Sequence, residues 1–136
     1  MRSEQVYVMG YSPNGPLKIG CANVPRRRLS TLRAASPRTL KLYAWGTPYE
    51  DDAGDKQIAG DVMERVLHAR FSDRRRSREW FNLTLDEVFW WTSEPFFTDE
   101  LGWSYIEWEW SEEADSYLFL DGSDDLREFS EELAVF

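Results

Sequence analysis

The spacing of hydrophobic and polar positions changes period several times along the chain, and each change marks an element. Gln5 to Gly10 alternates, with Val6 and Val8 on one face and Tyr7 on the other, which is the period of a strand. Ser12-Pro13-Asn14-Gly15-Pro16 is turn chemistry, because proline presets φ and Asn-Gly tolerates positive φ. Leu17 to Gly20 returns, so the first unit is a β-hairpin. Asn23 suits an N-cap and Pro25 a first helical turn. That helix runs to about Ala35, with Leu29 and Leu32 on one face, and Ser36-Pro37 ends it. Leu40 to Trp45 reads as a third strand and Tyr49 to Asp55 as an acidic loop. Ile58 to Phe71 is a helix whose stripe is Ile58, Val62, Val66 and Phe71; Glu64 and His68, four apart, share a face. Asp73 to Arg78 is a basic turn, and Thr84-Leu85-Asp86-Glu87 is a capping box opening a short helix.

Pro95 and Gly102 then bracket a loop. Tyr105 to Trp110 alternates strictly, with Ile106, Trp108 and Trp110 facing one way and Tyr105, Glu107 and Glu109 the other, as in a half-buried strand. Glu112 to Asp115 reads as a turn and Tyr117 to Leu120 as the return of a second hairpin. Ser123 caps a last helix with Leu126, Phe129 and Leu133 on its apolar face. The fold expected is α+β: a small three-stranded antiparallel sheet flanked by helices over residues 1–88, then a β-hairpin-plus-helix extension over 89–136.

Composition sharpens that division. The net charge of −9 argues against nucleic acid if taken as one number. Residues 1–88 carry 15 Lys and Arg against 11 Asp and Glu, whereas residues 89–136 carry 1 against 14. The split suggests a nucleic-acid-binding body with an acidic appendage. The appendage holds 13 aromatic residues, too many for a disordered tail. A single cysteine, Cys21, excludes a disulfide framework, and with one histidine it leaves no cluster of zinc-ligand spacing. No apolar run approaches the ~18 residues that span a bilayer. The start leads straight into a strand without a signal-peptide pattern, so the expected compartment is the cytoplasm and no membrane partner is expected.

Phosphodiester hydrolysis needs a poised nucleophile, charge stabilisation on the phosphoryl oxygens and help for the leaving alkoxide. Candidate parts lie on small adjacent elements: Tyr7 and Lys18 on the hairpin, Arg28 on the first helix, Glu64 on the second. A tyrosine of pKa ~10 is a poor base, and a lysine on the partner strand would lower that value. Glu64 suits Mg²⁺ or Mn²⁺, which keeps most of its waters and binds through one or two carboxylates. An arginine fork suits the phosphate.

In order and spacing these residues resemble the GIY-YIG nuclease superfamily, most closely its compact phage and bacterial branch with a Lys-Ile-Gly second motif. The resemblance covers about residues 5 to 88. Tyr7 matches the tyrosine of the first motif, Lys18 and Gly20 the second motif, and Arg28-Leu29 the arginine at the helix start. Glu64 matches the metal-binding glutamate, His68 a histidine one turn later, and Glu79-Trp80-Phe81 the closing motif. The first motif lacks its Gly-Ile, Val24 replaces an acidic residue before the helix proline, and Leu32 stands where some branches place a histidine. The resemblance implies catalytic roles for Tyr7, Lys18, Arg28, Glu64 and His68, with Glu64 the metal ligand. The implied activity is metal-dependent endonucleolytic cleavage of DNA.

Arg26, Arg27, Arg33, Arg74, Arg75, Arg76 and Arg78 are expected to track a nucleic-acid backbone. Glu79 reads as a brace for the arginine-rich turn, His68 equally as structural, and Trp90 and Trp91 as buried. Three roles suit the acidic extension. Its apolar strand face covers the sheet or a homodimer interface, it folds over the arginines as a phosphate mimic, or it docks a basic protein partner. The last belongs to a different class of function, a non-catalytic interaction protein on the same fold.

Overall fold

The computed structural model describes residues 4–52 and 54–118. Strands β1 (Gln5–Gly10) and β2 (Leu17–Ala22) form the expected hairpin, in a register that sets Tyr7 opposite Gly20 and Met9 opposite Lys18. Gly15 makes the turn possible. It takes φ +85° and lies against the Leu83 backbone, where any side chain would collide. Helix α1 (Pro25–Ala34) begins with Pro25 in its first turn, but its N-cap is Val24 rather than Asn23. Pro25 has no amide to satisfy, and the Val24 carbonyl accepts from the Arg27 and Arg28 amides at 3.0 and 3.1 Å, so no polar cap is required there.

Among the described residues the sheet has seven strands, not three. In spatial order they are β4 (Arg75–Ser77), β5 (Trp80–Phe81), β2, β1, β3 (Lys41–Glu50), β7 (Gly102–Trp110) and β6 (Phe96–Thr98). The three expected strands are its middle. The basic turn supplies a short ribbon at one edge, and the supposed loop between Pro95 and Gly102 supplies β6 at the other. β3 runs past Trp45, through Pro48, into what reads as acidic loop, because β7 pairs with it from Ala44 to Glu50. Pro48 is tolerated since β1 has ended beside it. The Pro48 carbonyl on that side accepts the Ile58 amide at 2.9 Å, and no ladder donor is missed.

Helix α2 (Gly60–Arg70) starts two residues later than its pattern suggests. Its buried side is Met63, Val66 and Leu67, with Ile58 and Phe71 buried just outside its ends and Val62 only partly covered. Helix α3 (Leu85–Thr92) opens on the expected capping box: Thr84 Oγ1 accepts the Glu87 amide at 3.2 Å and Glu87 Oε1 accepts the Thr84 amide at 3.0 Å. Residues 112–118 are a helix, α4 (Glu112–Leu118), and not the return of a hairpin. Two forces decide this. β7 finds its partners in β3 and β6, and Ser111 opens a helical turn whose first residues, Glu112 and Glu113, suit the macrodipole. The last helix, expected from Ser123, lies outside the described residues.

Two cores sandwich the sheet. On one face Val6, Val8, Ile19 and Ile106 pack with Met63, Leu67, Phe81 and Leu85, and Trp108 and Trp110 join them as their alternation predicts. On the other, Tyr7, Met9 and Leu42 pack beneath Leu29 of α1. The charge change near residue 88 thus falls within one continuous sheet. No helix among the described residues is long and apolar enough to cross a membrane.

Candidate active site

β5 covers β2 only at Leu17 and Lys18. Beyond them single groups take the edge of β2: the Ile19 amide donates to the Glu79 carbonyl at 2.9 Å, and His68 Nε2 lies 2.7 Å from the Ile19 carbonyl. A carbonyl only accepts, so His68 carries its proton on Nε2. Its ring also leans on Phe81, 5.0 Å between centroids. His68 therefore anchors α2 to the edge of β2. It positions Glu64, whose Oε1 lies 3.9 Å away, rather than offering a free base at Nε2.

At this edge residues from both faces of the sheet meet. Tyr7 lies directly over Gly20, where a Cβ would stand 2.5 Å from the phenolic oxygen. That is why the second motif ends in glycine. Tyr7 is fully buried, and its hydroxyl finds no hydrogen-bond partner among the described residues. Leaving such a group unpaired costs about 1–3 kcal/mol, so it marks a place to look for function. Burial, then the charge of Glu79, pushes the phenol up to about 12; Arg28 pulls it down, and Glu64 and Cys21 add to the rise.

Lys18 does not lower Tyr7 as expected. Its ammonium donates to Glu79 Oε2 at 2.5 Å, with side-chain exposures of only 15% and 35%. The β4–β5 turn delivers Glu79 to the lysine, because the β2–β5 register places Trp80 opposite Lys18. Burial pushes the Glu79 carboxyl up, yet the Lys18 hydrogen bond and charge hold it below its ordinary value. Glu64 moves the other way. Burial raises it and Glu79 adds to the rise, against the hydrogen bond from Cys21 and the charge of His68. The two carboxyls are within hydrogen-bonding reach, with the proton favoured on Glu64. Glu79 is thus a site member, not a brace for the arginine turn. The one sequence signal for it is its place directly before the Trp-Phe pair that docks on β2. Cys21 also gains a role: its thiol donates to Glu4 at 3.3 Å and lies near Glu64, and burial raises its pKa.

The arginines divide sharply. Arg33 Nε donates to the Leu40 carbonyl at 2.7 Å, and Arg74 pairs with Glu87 at 2.7 Å. Arg26 lies over Trp45 and Arg75 over Phe81. Arg27, Arg28, Arg76 and Arg78 are exposed, and their guanidinium groups form no ion pair or hydrogen bond among the described residues. Of these, Arg28 is the one whose charge acts on Tyr7. Arg28 lines a cleft of about 250 Å³ with Asn23, Arg27 and Thr31. A second cleft, about 410 Å³, runs past Glu64 and His68 and is bordered by Arg65, Ser72 and Arg75. The acidic extension reaches this rim once, through the Glu100–Arg65 pair; among the described residues it pairs with none of the arginines at 26–33 or 74–78.

No three His, Cys, Asp or Glu among the described residues are grouped to hold a metal. The donor set still fits one hard cation. Two oxygen-bearing carboxyls are pressed together, one of them raised, next to a buried phenolic oxygen without a partner. Mg²⁺ or Mn²⁺ binds through one or two carboxylates and retains water, so Glu64, with Glu79 beside it, would suffice.

Comparison with known proteins bears on the whole of this arrangement. No curated protein and no solved structure matches the chain. A family model described as the T5orf172 domain matches residues 4–94, about two thirds of the chain. That span runs from β1 through α3 and contains every residue of the edge site, so this chain belongs to the T5orf172 domain family.

Proposed function

We propose that this T5orf172 domain is a GIY-YIG-type endonuclease that hydrolyses DNA phosphodiester bonds with the help of Mg²⁺ or Mn²⁺. The observation that carries the reading is convergence. Tyr7 of β1, Lys18 of β2, Arg28 of α1, Glu64 of α2 and Glu79 of the β4–β5 turn all meet at the open edge of β2. The family is phage-associated and often linked to GIY-YIG-like nuclease folds, which supports the same reading.

Roles follow from the chemistry of each group. Arg28, free and exposed, holds a phosphoryl oxygen through its fork. Glu64 is the metal ligand, positioned from behind by His68. A divalent cation bound there supplies Lewis acidity at the phosphate. Tyr7, with a pKa of about 12, keeps its proton at neutral pH, and its buried, unpaired hydroxyl is a hydrogen-bond donor held at the β2 edge. With Lys18 committed to Glu79, the proton acceptor of the resting site is the Glu79 carboxylate rather than a Tyr7 phenolate. The charges of Lys18 and Arg28 offset those of Glu79 and Glu64.

The test that separates an active site from an inert salt-bridge network is metal binding. Mn²⁺ raises the Tm of the full chain in a concentration-dependent way, and Glu64→Ala abolishes the rise. An equal rise in wild type and variant, or none in wild type, would count against the reading.

A further inference from the structure

We propose that the cleft between the end of α2 and helix α3 binds one nucleobase of a single-stranded segment adjoining the scissile phosphate, an inference that rests on the nuclease reading above. The cleft has a volume of about 340 Å³ and is lined by Arg70, Phe71, Asp73, Arg74, Leu83 and Trp91. That falls within the roughly 300–1,000 Å³ of small-molecule sites. Phe71 and Leu83 are buried and belong to the core, so the floor is firm.

Trp91 is the informative residue. It does not take the buried place its apolar helix suggests: 46% of its surface is exposed, while Thr92 beside it is buried. The Arg70 guanidinium lies 4.9 Å over its ring and 5.6 Å over Phe96, which ties the indole to α2 and β6. An indole braced by a cation and left half open is a stacking platform.

The surrounding charges select a base over a phosphate. Arg74 is engaged by Glu87 at 2.7 Å, and Arg70 rests on two aromatic rings. Asp73 lines the cleft as an acceptor; a carboxylate repels phosphate but accepts from the amino edge of a base. Position connects the cleft to the site. The 3₁₀ turn Ser72–Arg74 separates the two clefts, with Ser72 lining the one that holds Glu64 and His68, and Asp73 and Arg74 lining this one. A strand crossing that turn reaches both, and the exposed Arg75, which lines the first cleft beside Ser72, is a cation for its backbone.

The test uses the full chain, Trp91→Ala and Trp91→Phe. Binding to a labelled single-stranded DNA is read by fluorescence anisotropy in EDTA, so that no cleavage intervenes. The same strand with single abasic sites at successive positions is the comparison. Trp91→Ala is expected to bind the intact strand about five- to hundredfold more weakly, with Trp91→Phe recovering most of the loss. One abasic position should bring wild type down to the level of Trp91→Ala. Equal binding of the intact strand by wild type and Trp91→Ala would overturn the subsite. So would a Trp91→Ala loss of the same size on every abasic strand, since that is a structural effect. Cleavage in Mn²⁺ keeps the two readings apart. A cleaving wild type with Trp91-independent binding removes the subsite and leaves the nuclease. Trp91-dependent binding by a chain that cleaves nothing leaves the subsite and removes the nuclease.

Discussion

Arg28→Ala lowers the rate of phosphodiester cleavage by about two to three orders of magnitude and leaves the Tm within a degree or so of wild type. The two halves of this expectation come from the same geometry. Arg28 is exposed on α1 and its side chain makes no ion pair or hydrogen bond among the described residues, so the folded chain loses nothing with its guanidinium. Its charge nevertheless reaches the Tyr7 phenol, so a phosphate bound at the β2 edge would meet it. Arg33→Ala provides the contrast. That guanidinium donates to the Leu40 carbonyl, and its loss should appear in stability before it appears in rate. The measurement is single-turnover cleavage beside a thermal melt. A rate loss in Arg28→Ala matched by an equal loss in Arg27→Ala would mean that diffuse charge, and not a placed fork, is at work.

Glu64→Gln stabilises the metal-free protein at pH 8 and abolishes cleavage. Burial, reinforced by Glu79, raises the Glu64 carboxyl above its ordinary value of 4.5. The folded chain therefore holds this proton more tightly than the unfolded chain does. Wild-type stability climbs as pH falls through the raised folded pKa, and the climb ends below the unfolded value of 4.5. Above that window the ionised carboxylate is a burden on the fold. Glutamine keeps the volume, carries no charge, and its amide can donate to the Glu79 carboxylate. The variant should melt above wild type at pH 8 in EDTA, and the gap should close as the pH is brought below 4.5. Mn²⁺ should reverse the order, because only wild type gains from the ion. A Glu64→Gln protein that melts below wild type at pH 8 would show that the carboxylate is a stabilising structural group. It would then lose its claim to be a ligand held in an unfavourable charge state for function.

The parts of the fold that were legible are those written in local periodicity. The alternation of Gln5–Gly10, the Asn-Gly turn, Pro25 at a helix start and the Thr84–Glu87 capping box each encode their own element. The parts that were not legible are made by partners. β4, β5 and β6 are 3, 2 and 3 residues long, too short to carry a period, and are strands only because of their partners: β5 pairs with β2, β4 with β5 and β6 with β7. Residues 112–118 hold only one helical apolar set, Ala114, Tyr117 and Leu118, too short to outweigh a hairpin return, and their helix follows from Ser111 and from β7 taking β3 as its neighbour. The site divides in the same way. Tyr7 beside Gly20, and Glu64 one turn before His68, follow from strand and helix spacing. The Lys18–Glu79 pair joins residues 61 positions apart and depends on a two-residue strand, so the expected lysine–tyrosine partnership gives way to a lysine–glutamate one.

The central claim is that the cluster at the open edge of β2 hydrolyses phosphodiester bonds. Its most direct test is cleavage of end-labelled single-stranded and duplex DNA in Mg²⁺, in Mn²⁺ and in EDTA, by wild type beside Arg28→Ala and Glu64→Ala. The expected result is metal-dependent cleavage by wild type that both variants lose while remaining folded. No cleavage by wild type in either metal, or equal cleavage by all three proteins, would contradict it.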